Sequence, residues 1–303
     1  MTGQEEIQWK VYTKLGLNDS EIRSWFNGPA LLTWSRGQNE YGAGIAGPLP
    51  RSWMKSQWSL QKQILGRYRQ LGIVGQLPAF QGNMPIGIKA LKQDANISVQ
   101  GATGWLDSLD PLYAEVADLW METLVADFGT DHWYQLDGYL NGGTAPWMDA
   151  RDDAAVTSTA TAPTYPTVSG GVFADPPAPT PVTADPAWYR RGVAAYTGLN
   201  RTDPEAVWSF QGFAFVGWST DQKASWLKGF IDAVPEDHFN IIDMGYSGNG
   251  EWQKWNDVRS QAIKKSVIAL SFLRLIACVY RAASSAPSSS GPVNSKTIGS
   301  CLC

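Results

Sequence analysis

The chain has 303 residues, a formal net charge of −4 and a pI near 5.3. That length suits one large domain of roughly 250 residues, and the acidic balance argues against a nucleic-acid partner, which a basic patch or stripe would announce. Two histidines, His132 and His238, and three cysteines provide no zinc-site spacing.

Fifteen tryptophans beside 30 glycines are the anomaly of the composition. They point to aromatic platforms in loops, on which sugar rings stack, against the plainer reading of a Trp-rich core. Three N-x-S/T sequons begin at Asn18, Asn96 and Asn200 and lean mildly toward a secretory route. The first residues, Met1 to Glu6, have neither the basic nor the apolar region of a signal peptide.

In chain order, Glu5 to Leu15 reads as a helix, with Ile7, Val11 and Leu15 on one face and Gly16 as its stop. A short helix follows with Asn18 or Asp19 as N-cap and ends near Gly28-Pro29. Residues 34 to 50 hold four glycines and two prolines and form a long binding loop. Arg51 to Leu71 is a helix with Trp53, Gln57, Leu60, Ile64, Tyr68 and Leu71 on its apolar side and Gly72 past its end.

Ile73 to Leu77 is a short strand closed by Pro78, followed by a polar loop from Phe80 to Pro85. Asp110-Pro111 opens a helix that Phe128-Gly129 closes. The run from Trp133 to Leu136 is a buried strand that breaks into the Gly-rich mouth Asn141-Gly142-Gly143. His132, inside that strand, takes a hydrogen-bonded structural role.

Residues 143 to 185, rich in Ala, Thr, Pro and Gly, read as an extended insertion, a lid or a disordered loop. Helix from Pro186 to Leu199, strand from Ala206 to Phe210, helix from Thr220 to Val234 and strand from Phe239 to Met244 complete the alternation. Such a βα series predicts a parallel sheet whose chemistry sits in loops at the C-terminal strand ends. The fold class is therefore α/β, a partial (β/α)8 TIM-type barrel over 1–257, since four strands do not close eight. Residues 258–281 predict an apolar helix too short to span a bilayer, with Arg274 interrupting it, and 282–303 a disordered tail.

Particular strings carry a resemblance. They are Gly3-Gln4-Glu5, Phe26-Asn27-Gly28-Pro29-Ala30, Trp34-Ser35-Arg36 with Asn39, Gly47-Pro48-Leu49-Pro50 with Ser52-Trp53, Leu77-Pro78-Ala79-Phe80 with Gly82, Phe128-Gly129-Thr130-Asp131-His132, and Glu205-Ala206-Val207-Trp208 with Gln211-Gly212. In order and spacing, from residue 3 to about residue 256, the chain resembles the alpha-N-acetylglucosaminidases of glycoside hydrolase family 89.

The resemblance implies a TIM barrel between a smaller N-terminal and a helical C-terminal domain. It implies removal of terminal α-linked N-acetylglucosamine, notably from heparan sulfate, by a retaining mechanism with two glutamates about 5 to 5.5 Å apart and no cofactor. A glycan is thus the expected partner, in a lysosomal or secreted setting, and the oligomeric state stays open. Glu251, after the strand that ends near Met244, falls at the nucleophile position.

Asn141 falls where the family has its acid/base glutamate, and an amide cannot donate a proton as a carboxylic acid does. Asp137 and Asp149 are the nearby carboxylates, and neither is assigned the role. Trp34, Asn39, Tyr139, Trp147, Gln211 and Phe213 are the matching candidates for sugar contact. Residue 3 corresponds to a point already inside the family's barrel and the match lapses after Asp257, so an incomplete gene model or a short form is expected. A catalytically silent glycan-binding homologue is the rival to the hydrolase.

Overall fold

The computed structural model describes residues 1–32, 36, 47–100, 103–136, 183–211, 221–243 and 267–269. Helix α1 spans Gln4–Lys14 and starts on Gly3, whose φ is 78°. A side chain at Gly3 would be strained at that φ, and its Cβ would also stand 2.6 Å from Trp58 Cα and 2.9 Å from Trp58 N. Since both obstacles are backbone atoms, Gly3→Ala is expected to cost about 2 to 4 kcal/mol, read as a lower urea midpoint at unchanged slope. A wild-type midpoint would show that the two segments separate without penalty.

Helix α2, Asp19–Trp25, begins with a full capping box. Glu21 N donates to Asn18 Oδ1 at 3.0 Å, and Asn18 N donates to the Glu21 carboxylate at 2.9 Å. Helix α3 covers Arg51–Gln70. Its core face is not the predicted one: Met54, Gln61 and Leu65 are buried, while Leu60, Tyr68 and Leu71 are 43%, 40% and 56% exposed. The helix touches α1 and the later α5 along a narrow strip, so apolar spacing on its outer turns leads nowhere.

Strand β1 is Gln76–Pro78, shorter than expected, and Ile73 and Val74 before it are exposed. A second sheet begins inside what read as a loop, with β2 at Asn83–Pro85, and continues through residues given no element in the sequence: a short helix α4 at Gly87–Leu91, β3 at Ile97–Gln100 and β4 at Thr103–Leu106. Its antiparallel order is β2-β4-β3, and strands of three or four residues are too short to show a period in sequence. Helix α5, Pro111–Phe128, is capped by Asp110, which accepts from Leu112 N at 2.8 Å, and stops at Gly129 with φ 71°.

The main sheet follows the βα alternation. Strand β5 is Trp133–Gln135, β6 Val207–Gln211, β7 Phe239–Asp243 and β8 Val267–Ala269, with helix α6 at Pro186–Asn200 and helix α7 at Asp221–Asp232 between them. All neighbours in the order β1-β5-β6-β7-β8 are parallel, so the described residues form part of an α/β barrel that does not close. Within the helix expected over 258–281, the described residues Val267–Ala269 are instead a strand: they pair with Ile241, Ile242 and Asp243, as a run with β-branched Val and Ile favours. The rest of that stretch, most of the 143–185 insertion and the 282–303 tail lie outside the described residues.

Among the described residues, tryptophan is spent mainly on packing. Of ten described tryptophans, six are buried: Trp25, Trp105, Trp120, Trp188, Trp208 and Trp226. Trp188 stacks on Trp226 at 5.1 Å, and Trp208 packs on Phe230 of α7 at 5.6 Å and Phe239 at 5.2 Å. Their polar tips tie the layers together, since Trp120 Nε1 donates to Pro78 O and Trp208 Nε1 to Leu136 O.

His132 precedes β5 instead of lying in it, with φ 66°. Its Nδ1 is 2.9 Å and 3.0 Å from the two oxygens of Asp203, and Val207 N donates to its carbonyl at 2.7 Å. It joins the entries to β5 and β6, the end of a βα sheet that serves stability, in the structural role its sequence suggested.

Candidate active site at the strand ends

Strand register decides what can gather at the C-terminal edge. Gln135 of β5 lies abreast of Ser209 of β6, and Ser209 abreast of Asn240 of β7. One position away in each strand are Tyr134, Trp208 and Phe239, on the face that packs on α7, so alternation turns Gln135, Ser209 and Asn240 to the opposite, inner face. Ser209 and Asn240 are nonetheless buried, at 0% and 6% exposure. Ser209 Oγ has no hydrogen-bond partner among the described residues.

This polar row beneath the strand mouths escaped sequence reasoning. The signal was there in Trp208-Ser209-Phe210 and Phe239-Asn240-Ile241, aromatic or aliphatic on one parity and polar on the other. A buried unpaired hydroxyl costs on the order of 1 to 3 kcal/mol, a strain usually relieved by water or a ligand.

In the chain, most of the predicted site residues belong to the segments that follow these strands. The backbone of Gln211 ends β6, in register with Ile242 of β7, which is itself abreast of Ile268 of β8. Tyr139, Asn141 and Trp147 come after β5 in the chain, Phe213 after β6 and Glu251 after β7; all of them, with Trp34 and Asn39, lie outside the described residues. Three adjacent parallel strands thus lead into the three segments that carry the candidate chemistry.

A second polar feature flanks the start of α1. A cleft of about 10 Å³ is lined by Gln4, Glu5, Gln8, Trp25, Asn27, Arg36 and Asn83 among others. That is room for roughly one water and excludes a sugar ring. Glu5, 1% exposed, is held bidentately by Arg36 at 2.7 Å and 2.8 Å, and Gln4 Oε1 has no partner among the described residues. The cleft therefore suits an ordered water completing the polar shell, and Gln4 and Glu5 of the family motif read as architecture here.

The sequon asparagines are all described. Asn18 and Asn96 are exposed and Asn200 is half-buried. Asn96 Nδ2 donates to Asp107 at 3.2 Å and Asn200 Nδ2 to Pro204 O at 3.2 Å, whereas Asn18 uses its Oδ1 as a cap. Among the described residues no group of three or more His, Cys, Asp or Glu side chains is arranged to hold a metal ion, and no helix is long and apolar enough to cross a membrane.

The family model for the alpha-N-acetylglucosaminidase (NAGLU) tim-barrel domain matches residues 1–166, more than half of the 303. The chain belongs to this family. Alpha-N-acetylglucosaminidase of Homo sapiens is 28% identical over 253 residues, covering 80% of this chain and 29% of the human protein. A family 89 glycoside hydrolase from Clostridium perfringens, solved in complex with 2-acetamido-1,2-dideoxynojirmycin, superposes with a TM-score of 0.62 at 20% identity, over 86% of this chain and 25% of that one.

A form of the clostridial enzyme with two glutamate-to-glutamine substitutions, in complex with its substrate GlcNAc-alpha-1,4-galactose, gives 0.61 at 20% identity over 84% of this chain and 25% of its own. At that identity the likeness shows the fold. The chain spans under a third of the length of these relatives.

Proposed function

We propose that this chain is the central part of the catalytic barrel of a retaining glycoside hydrolase that removes terminal α-linked N-acetylglucosamine, as from heparan sulfate. The observation that carries the reading is the parallel register of β5, β6 and β7, three neighbours that lead into the segments of Asn141, Phe213 and Glu251. Glu251 acts as nucleophile at the anomeric carbon. Trp34, Asn39, Tyr139, Trp147, Gln211 and Phe213 contact the sugar, by stacking or by hydrogen bonds to hydroxyls.

The clostridial relative bound to its substrate carries two glutamate-to-glutamine substitutions, which supports a chemistry of two carboxylates in the family. In this chain the second position holds Asn141, and that specific departure favours a second reading, a glycan-binding homologue without turnover. A secreted or lysosomal setting, with glycans at Asn18, Asn96 and Asn200, completes the proposal.

Hydrolysis of an aryl α-N-acetylglucosaminide separates the two readings, because a phenolate leaves with little acid assistance. Release of the phenol is the expected result. Sugar binding with no release would establish the silent homologue, and neither binding nor release would refute both.

A further inference from the structure

Helix α3 carries Arg51, Lys55, Lys62, Arg67 and Arg69 and no aspartate or glutamate, in a chain whose net charge is −4. At about 100° per residue, Arg51, Lys55, Lys62 and Arg69 fall within about 40° of one another around the axis, along a line about 27 Å long. Trp58 sits on the same line. Lys10 of α1 joins it: its Nζ is 5.0 Å from the centre of the Trp58 ring, and Lys62 Nζ is 3.9 Å away. Trp58 Nε1 donates to Asp127 at 2.9 Å, which fixes the indole between the two ammonium groups.

The carboxylates near this line are mostly turned inward. Glu6 pairs with Arg51, Asp127 with Lys10 at 2.5 Å and Asp131 with Arg69 at 2.7 Å; these three side chains are only 7%, 14% and 13% exposed. Asp19, 3.9 Å from Arg51 Nε, is the one more open acid and stands at the first turn. Lys55 and Lys62 are exposed, and among the described residues neither has a carboxylate partner. Arg69 and Lys10 also keep 38% and 31% of their side chains in solvent.

We propose that this flank of α3, beside its buried strip, is a docking surface for an anionic polysaccharide, whose sulfate or carboxylate groups meet Lys10, Lys55, Lys62 and Arg69. A single file of cations one helix wide matches one extended chain with regularly spaced anions. A duplex nucleic acid would need a broad positive face and would meet an acidic molecule. The surface lies on a helix outside the sheet, so it stands apart from the strand-end chemistry and does not rest on that chemistry working.

The test measures anisotropy of a fluorescent heparin oligosaccharide at low salt with the full chain. Reversing Lys55 and Lys62 together (Lys55→Glu with Lys62→Glu) is expected to weaken binding by about tenfold or more and to flatten its salt dependence. Reversing Lys92 and Arg190 (Lys92→Glu with Arg190→Glu), a half-buried and an exposed cation away from α3, changes net charge equally and should leave affinity nearly unchanged.

Thermal midpoints check that both double variants fold, and aryl glycoside hydrolysis should be the same in both. A hyaluronan oligosaccharide distinguishes the source of recognition: binding assigns the surface to carboxylates as well, and its absence assigns it to sulfate. Equal losses in the two double variants, no heparin binding by the wild type, or equally tight binding of single-stranded DNA of matched charge would overturn the proposal.

Discussion

Glu251→Gln is expected to lower kcat for an aryl α-N-acetylglucosaminide by about a thousandfold or more, because an amide does not form the glycosyl ester through which a retaining mechanism passes. The aryl substrate isolates this step. Its leaving group departs without a proton, so kcat/KM, which runs only as far as the glycosyl ester, reports the nucleophile even with Asn141 at the acid position. Asn141→Glu then examines the other half of the proposed pair. A restored carboxyl should leave aryl kcat/KM within a few-fold, raise aryl kcat by acting as base in hydrolysis of the glycosyl ester, and raise hydrolysis of an unactivated sugar glycoside by about a hundredfold or more. Wild-type kcat/KM in Glu251→Gln would move the nucleophile elsewhere, and an unimproved sugar glycoside would remove residue 141 from the acid role.

Much of the scaffold was legible because it is written in local chemistry. Asp110 with Pro111 and Gly129 fix helix ends through bonds spanning a few residues and stand where they were expected, and of the two caps the sequence left open for α2 it is Asn18 that is used, with Glu21 as its partner. The parallel strands were legible for a second reason: Tyr134, Trp208, Phe210 and Phe239 demand burial wherever they fall.

What escaped depends on tertiary neighbours. Nothing in the spacing of α3 says that Leu60, Tyr68 and Leu71 face away from the core, since the helix alone does not know which side its neighbours occupy. The small antiparallel sheet is closed by hydrogen bonds between Asn83–Pro85, Ile97–Gln100 and Thr103–Leu106, each too short to announce itself. The abundance of Trp is ambiguous for the same reason, because an indole looks alike in a core and on a sugar platform until its surroundings are known.

The site itself was legible only by kinship, with one exception of physical interest. Ser209 and Asn240, which no motif singled out, form a polar row on the inner face, one layer beneath the strand ends. A core of this kind normally excludes such groups, and here they are retained where a βα sheet keeps its chemistry. Family strings such as Gly3-Gln4-Glu5 divide likewise: Gly3 answers to backbone packing against Trp58, and Glu5 to the Arg36 pair.

Removing the Asp203 carboxylate should have a large effect on stability. Asp203 is 4% exposed and accepts from Thr130 Oγ1 and Tyr134 OH, both at 2.7 Å, and from His132 Nδ1. Burial by itself would raise its pKa, but the hydrogen bonds of Tyr134, Thr130 and His132, with the charge of His132, outweigh it and hold the pKa below the ordinary aspartate value. Burial, reinforced by this carboxylate, pushes the Tyr134 phenol up, which keeps it a donor at neutral pH.

Asp203→Ala strands four donors at the junction of β5 and β6, those of Thr130, Tyr134 and His132 and the backbone N–H of Glu205, and removes the carboxylate that holds His132 at φ 66°, at an expected cost of about 3 kcal/mol. The pH dependence has a definite sign. A carboxyl whose folded pKa is depressed adds stability in full above its unfolded pKa, and that contribution disappears as pH falls through the folded value. The difference between wild type and Asp203→Ala, measured as urea midpoints, should therefore be constant near neutrality and shrink below about pH 4. A gap that stays constant into that acid range would mean that the lost stability is packing and not the charge-assisted network.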